Sequence, residues 1–240
     1  MSERKGLILA AGYGSRLDGI SAIGGFKPLV PVAEKPLIFR TIESLEKAGC
    51  SEIVIVLGYG HQEIEEAITN SYVGSAQLVF VFNEKFHLNN GVSVLAASDH
   101  LSDVFVMTMA DHVIGDGLME IARTYDPADS SAVLLVDYKI DTIFDIDDAT
   151  KVLSEDGKIV SIGKQIDGFN CIDTGVFVCT KGLLDSLENH YSKNGDTSIS
   201  EGVQDLAKKG RMFTIDIGDG FWQDIDTPEM LEYVEKILES

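Results

Sequence analysis

LILAAGYGSRL at residues 7–17, followed by KPL at residues 27–29, is the stretch that decides how this chain folds. An apolar run ends in a glycine loop, then an arginine, then a lysine. Glycines let backbone N–H groups close on phosphate oxygens, an approach that a Cβ would block. Arg16 and Lys27 add the positive charge that a triphosphate needs. The spacing is not that of a dinucleotide-binding loop, because the third glycine of G-x-G-x-x-G falls on Leu17. No G-x-x-x-x-G-K-[ST] cradle occurs either. Without the two cations, the same glycines would read equally well as a tight turn after a buried strand.

Working outward, the first half alternates apolar strands at 5–11, 52–57, 78–82 and 104–109 with helices at 36–48, 61–69 and 92–98. The short helix at 92–98 is read as following an Asn89-Asn90-Gly91 turn. This alternation indicates a parallel sheet covered on both faces, with ligands at the carboxyl ends of its strands. Gly12 to Arg16 and Asp111 both fall at such ends. The second half changes to closely spaced strands at 132–138, 150–153, 158–162 and 171–179. Helices at 181–190 and 198–208, a strand at 212–217 and a final helix opened by Thr227-Pro228 follow. With no repeat or flexible linker, residues 1–240 read as one domain. About 1–115 form a nucleotide half and about 116–240 an acceptor half.

The chain has 240 residues, 45% of them hydrophobic, which suffices for a sizeable core. The net charge of −20 disfavours nucleic acid and anionic membranes as partners. No apolar run is long enough to span a bilayer, and the charged N-terminus enters the first strand directly, so a cytoplasmic protein is expected. The three cysteines fit no metal spacing and read as buried thiols in a reducing compartment. Asp111 ends a strand, and Asp224 and Asp226 follow Trp222 in a second acidic segment. Magnesium takes hard oxygens, commonly one or two carboxylates with substrate phosphates and water. Asp224 and Asp226 alternate along an extended segment and so point to opposite faces. Asp224 is the expected ligand beside Asp111; Asp226 is the alternative, or a support for the loop.

Together these pieces resemble the nucleotidyltransferases that make activated nucleotides from a triphosphate and a phosphate monoester. LAAGYGSRL…KPL is similar to that family's L-A-A-G-x-G-[ST]-R-L…K-P-L signature, and WQDIDTPE to its W-x-D-[IV]-x-T-P-E segment. The fold implied is the modified Rossmann-like three-layer α/β/α type with a mixed, mainly parallel central sheet. MADHVI, ATKV, EDGKIVSIGK and NCIDTGVFV further resemble the CTP:inositol-1-phosphate cytidylyltransferases. In several relatives of that group the unit is fused to a membrane-embedded transferase, so the resemblance implies a separate membrane-bound partner here. Oligomeric state stays open, a homodimer included.

Carried over by residue, the resemblance places CTP on Leu9, Ala10, Ala11, Gly12, Gly14, Ser15, Arg16 and Lys27. It places base and ribose near Asn90 and Ser93. Magnesium falls to Asp111 and Asp224, with Asp226 adjacent. The acceptor phosphate falls to Lys164, with Lys151 nearby or else only a strand-end surface lysine, and the acceptor hydroxyls to Asp173 and Thr174. Arg16, Lys27 and Lys164 would do the catalytic charge neutralisation. His112 reads as a hydrogen-bonding neighbour rather than a base, since an attacking phosphate is already ionised. Three departures stand out: Phe26 replaces the usual proline before Lys27, the segment DGISAIGG from Asp18 to Gly25 is longer than in close relatives, and Ile162-Gly163-Lys164 stands where the sugar enzymes have E-K-P. Phosphocholine or a sugar 1-phosphate is the alternative acceptor, and a non-catalytic nucleotide sensor is the competing class.

Overall fold

The computed structural model describes residues 4–14 and 25–239. In chain order the elements are β1 (Lys5–Ala10), β2 (Pro31–Val32), β3 (Lys35–Pro36), α1 (Leu37–Lys47), β4 (Glu52–Leu57), α2 (His61–Ser71), β5 (Gln77–Phe82), α3 (Asn90–Ala96), β6 (Val104–Met109) and β7 (His112–Ile114). They continue with α4 (Asp116–Thr124), β8 (Ala132–Asp137), β9 (Lys151–Glu155), β10 (Lys158–Gly163), β11 (Cys171–Thr180), α5 (Lys181–Asn194), α6 (Ile199–Lys208), β12 (Met212–Asp216), β13 (Trp222–Asp224) and α7 (Pro228–Leu238).

A nine-stranded sheet runs in the order β5-β4-β1-β6-β11-β8-β12-β10-β9. The strands β5, β4, β1 and β6 are mutually parallel. The apolar runs of β1, β4 and β6 suit strands buried on both faces, while β5 at the sheet edge is only half-buried. Side chains alternate: Leu7 and Leu9 enter one core with Val94, Phe105, Leu183 and Val203. Ile8 and Ala10 enter the other, with Ile42, Ile55, Ile64 and Met119. Helices α1, α2 and α4 thus cover one face and α3, α5 and α6 the other, which makes the three layers. Beyond β6 the pairing changes. β11 runs antiparallel to β6 and to β8, β12 parallel to β8, and β10 antiparallel to β12 and β9. The sheet is therefore mixed, with its parallel part concentrated in the first half.

Two local expectations are corrected. The Asn89-Asn90-Gly91 segment is no turn: Asn90 is the first helical residue of α3, and the pre-helical Asn89 is held by Asp196, which accepts from its backbone N–H and its side-chain amide. Residues 112–124, unassigned from sequence, form β7 and α4; β7 pairs antiparallel with β13, opposing Asp224 to His112. The N-terminal signals of the later helices hold in detail. Ser198 and Glu201 make a capping box on α6, and the Thr227 hydroxyl accepts from Met230 N–H at the start of α7. Cys50, Cys171 and Cys179 are all free and buried. Among the described residues no helix is long and apolar enough to cross a membrane.

Candidate active site

The site lies where β1 and β6 end side by side. Past β1 the chain turns through Ala11 and Gly12, and past β6 it reaches Asp111, with Ala110 N–H donating to Leu9 O at 3.1 Å. A short 3-10 turn at Lys27–Leu29 delivers Lys27 into the same junction. Lys27 Nζ donates to Asp111 Oδ2 at 2.6 Å and to Asp226 Oδ1 at 2.5 Å. Gly14 has φ +65°, and a Cβ there would stand 2.5 Å from Lys27 Cβ, so glycine serves both the conformation and the approach.

Burial would raise Asp111, but Lys27 and His112 beside it hold its carboxyl well below the usual carboxylate range. Burial likewise opposes the charge on Lys27, and the two aspartates outweigh it and raise its pKa. His112 Nδ1 lies 2.6 Å from Asp111 Oδ1. An ionised carboxylate only accepts, so this ring nitrogen carries the hydrogen. Burial lowers the His112 pKa, but Asp111 and then Asp224 raise it further. Gly175 lies close to the ring, since a Cβ there would fall 2.6 Å from His112 Nε2. His112 is thus a hydrogen-bonding neighbour of Asp111, with the Trp222 ring stacked at a centroid distance of 6.0 Å.

Two clefts meet at this junction. The smaller, about 330 Å³, is lined by Leu9, Ala10, Gly12, Gly14, Lys27 and Asp111, with Asp226. The larger, about 450 Å³, shares Leu9, Gly12, Asp111 and Asp226 and extends past Ala11, Asn90 and Ser93 on one side. On the other it reaches Lys164, Asp173 and Asp224. Ser93 Oγ accepts from the buried Asn83 amide at 3.0 Å, while Asn90 Oδ1 accepts from Ile199 N–H and ties α3 to α6. Lys164 Nζ pairs with Asp148 at 2.6 Å. Burial pushes the Asp173 carboxyl up to about 6, against the Gly175 N–H that donates to it at 2.7 Å.

Two of the expected acceptor residues fall elsewhere. Thr174 is fully buried and donates to Leu135 O at 2.7 Å, because the side chains alternate along β11 and its neighbour Asp173 takes the cleft side. Lys151 lines neither cleft; its ammonium donates to the carbonyls of Asp147, Ala149 and Lys164 and sits over the Phe169 ring. Ser15 and Arg16 lie outside the described residues. Conversely, Asn83, Asp137, Lys139 and Asp148 take part in or around the clefts and were not found from sequence. Asp137 carried a usable signal: it ends the apolar run AVLLVD as Asp111 follows VFVMTM.

Asp224 joins Asp111 and Asp226 in the lining of the larger cleft. Burial, and then Asp111 and Asp226, raise the Asp224 pKa against the opposing charges of His112 and Lys27. Three carboxylates, Asp111, Asp224 and Asp226, thus stand around Lys27 and His112. Among the described residues no group of three or more His, Cys, Asp or Glu forms a protein-only cage. A pair of carboxylates is a donor set that fits magnesium, which takes one or two carboxylates among otherwise non-protein oxygen ligands.

A family model described as nucleotidyl transferase matches residues 5–240. A bifunctional IPC transferase and DIPP synthase from Thermococcus kodakarensis is 32% identical over 243 residues, covering 99% of this chain and 51% of that protein. The protein of the same name from Archaeoglobus fulgidus is 31% identical over 236 residues, covering 98% and 44%. The chain thus spans about half the length of these curated relatives. The solved structure of the inositol-1-phosphate CTP transferase from T. maritima superposes with a TM-score of 0.84 at 28% identity, covering 100% of this chain and 98% of that one.

Proposed function

Because the chain belongs to the nucleotidyl transferase family, we propose that it joins the cytidylyl group of CTP to inositol 1-phosphate, forming CDP-inositol and pyrophosphate. The observation that carries this reading is the meeting of two clefts at Asp111. One arm holds a glycine loop and a buried lysine, and the other holds a cation and a carboxylate suited to a phosphorylated polyol. The likeness to the T. maritima enzyme over essentially its whole length supports the choice of nucleotide and acceptor.

An acceptor phosphate oxygen attacks the α-phosphorus of CTP. The new P–O bond forms as the bond to the α,β-bridging oxygen breaks, and pyrophosphate leaves. No covalent enzyme intermediate is needed, so catalysis is positioning and charge neutralisation. Two of the three Lys27 hydrogens are committed to Asp111 and Asp226, and the third serves a triphosphate oxygen. The backbone at Gly12 and Gly14 lets phosphate approach closely, and Arg16 adds charge on the leaving group. Lys164 exchanges Asp148 for the acceptor phosphate, which brings together two anions that otherwise repel. Asp173 receives acceptor hydroxyls. Asp111 and Asp224 would hold a magnesium ion, which when bound supplies Lewis-acid polarisation of the α-phosphate.

The test is pyrophosphate release with magnesium across CTP, UTP, ATP, GTP and dTTP. Each is paired with inositol 1-phosphate, phosphocholine and glucose 1-phosphate. Release confined to CTP with inositol 1-phosphate is the expected result. Release with a different pair overturns the substrate assignment and keeps the chemistry; CTP binding with no release from any pair favours a nucleotide sensor.

A further inference from the structure

Asp137 touches no part of the Lys27 ion-pair cluster, yet both metal-facing segments are tied to it. It ends β8 and is 3% exposed. Its Oδ2 accepts from Trp222 Nε1–H at 3.0 Å. Its Oδ1 accepts from the Lys139 backbone N–H and lies 2.8 Å from Lys139 Nζ. Lys139 Nζ in turn donates to Gly218 O at 2.6 Å. The turn between β12 and β13 and the first residue of β13 are therefore fastened to the end of β8.

From Trp222 the connection divides. Along β13 it reaches Asp224, which opposes His112 in the ladder, and then Ile225, whose N–H donates to Asp111 O at 2.9 Å. Across space the Trp222 ring stacks on His112, with centroids 6.0 Å apart and planes 16° from parallel. Gly175 packs close to the imidazole, where an added Cβ would stand 2.6 Å from Nε2, and the ring's Nδ1 meets Asp111. A buried carboxylate costs desolvation, and an apolar side chain would fill this space at less cost. What Asp137 supplies beyond filling is a directed acceptor for one indole N–H.

We propose that Asp137 is a positioning residue: its hydrogen bond to Trp222 fixes Asp111 and Asp224 as a pair for a divalent cation. The proposal rests on the assignment of those two aspartates under the proposed function. Groups that orient metal ligands from behind typically change metal affinity or activity by about 10–100-fold when removed.

Two variants test it independently. Asp137→Asn turns an amide donor towards either Trp222 or Lys139. Trp222→Phe removes the N–H while keeping a ring to stack on His112, and it carries the test if Asp137→Asn does not fold. Mn2+ alone is titrated and free ion read by EPR, and the magnesium dependence of turnover is measured alongside. Each variant is expected to weaken Mn2+ binding and raise the half-saturating magnesium concentration by about tenfold. The double variant should be no worse than the worse single one, and KM for CTP at saturating magnesium should stay unchanged. Wild-type binding with unaltered binding in the folded variants overturns the positioning role, as do effects that multiply in the double variant. No Mn2+ binding by the wild-type protein overturns the aspartate assignment, and this proposal with it.

Discussion

In the phosphate arm of the cleft, the Lys27 side chain is 12% exposed and shares its ammonium between Asp111 and Asp226, carboxylates 84 and 199 residues away in sequence. In the acceptor arm, Lys164 is 51% exposed and pairs with Asp148, 16 residues away. Both lysines face a bound phosphate in the proposed reaction, but their environments differ. Lys27 is set by the whole fold, with the ends of β1, β6 and β13 brought together around it. Lys164 is set by the local strands of the acceptor half and stays near solvent. Under the proposed function, the buried arm is the cradle of a triphosphate common to many reactions, and the groups proposed for the variable acceptor stand on the rim.

The largest expected effect of this contrast is on Lys27. Removing one partner of a buried ion pair leaves uncompensated charge and typically costs about 3–5 kcal/mol. Lys27→Ala leaves Asp111 and Asp226 without their shared cation. Unfolding by denaturant should show a loss of about 3 kcal/mol, and turnover should fall by at least about 10²-fold. Added magnesium should restore part of the lost stability, because it replaces the missing charge. An unchanged unfolding midpoint would remove the claim that the phosphate arm is held by this pair.

The same contrast explains what could be read in advance. The parallel half was legible because its strands are continuous apolar runs, and the residues proposed for its chemistry stand close together in sequence, in the glycine loop after β1 and at Asp111 after β6. The acceptor half was harder. Whether Asp173 or Thr174 faces the cleft depends on register in β11, which shifts between Asp173 and Phe177 where it pairs with β8. A string of letters records the alternation but not its phase. Lys151 and Lys164 look alike in sequence, yet one spends its hydrogens on carbonyls and the other faces the cleft. The Asn89-Asn90-Gly91 signal was read as a turn, because Asp196, which holds the helix start, lies 107 residues away. Asp137 belongs to no motif; its importance rests on Trp222, 85 residues on.

An intermediate effect is expected at Lys164. Its ion pair with Asp148 is partly exposed, and pairs of that kind contribute about 0–1 kcal/mol to stability. A charge-assisted bond to an acceptor phosphate is worth about 1.5–3 kcal/mol. Lys164→Ala should therefore leave the melting temperature nearly unchanged and raise KM for the acceptor by about 10–100-fold, with KM for CTP unaltered. A change in KM for CTP of similar size would show that the two arms are not divided as described.

The smallest effect belongs to Asp173, and it sets stability against recognition within the acceptor arm. Burial lifts its carboxyl from the ordinary 3.8 to about 6 in the folded protein. Between those values the folded state keeps a proton that the unfolded chain has released, so stability falls as pH rises through this window and levels off above it. In the proposed reaction the group, ionised above pH 6, accepts from acceptor hydroxyls, and the fold carries the cost of its charge. Asp173→Asn keeps an oxygen for the Gly175 N–H and removes that charge. Its unfolding free energy at pH 7.5 should rise by about 1–2 kcal/mol, discounted from the full shift for partial exposure. The downward slope between pH 4 and 6 should be reduced, while KM for the acceptor rises by about tenfold, the loss of one ionic acceptor. A variant less stable than wild type at pH 7.5 would instead assign the carboxylate to holding β11 in place. The acceptor arm would then be built on the same principle as the phosphate arm.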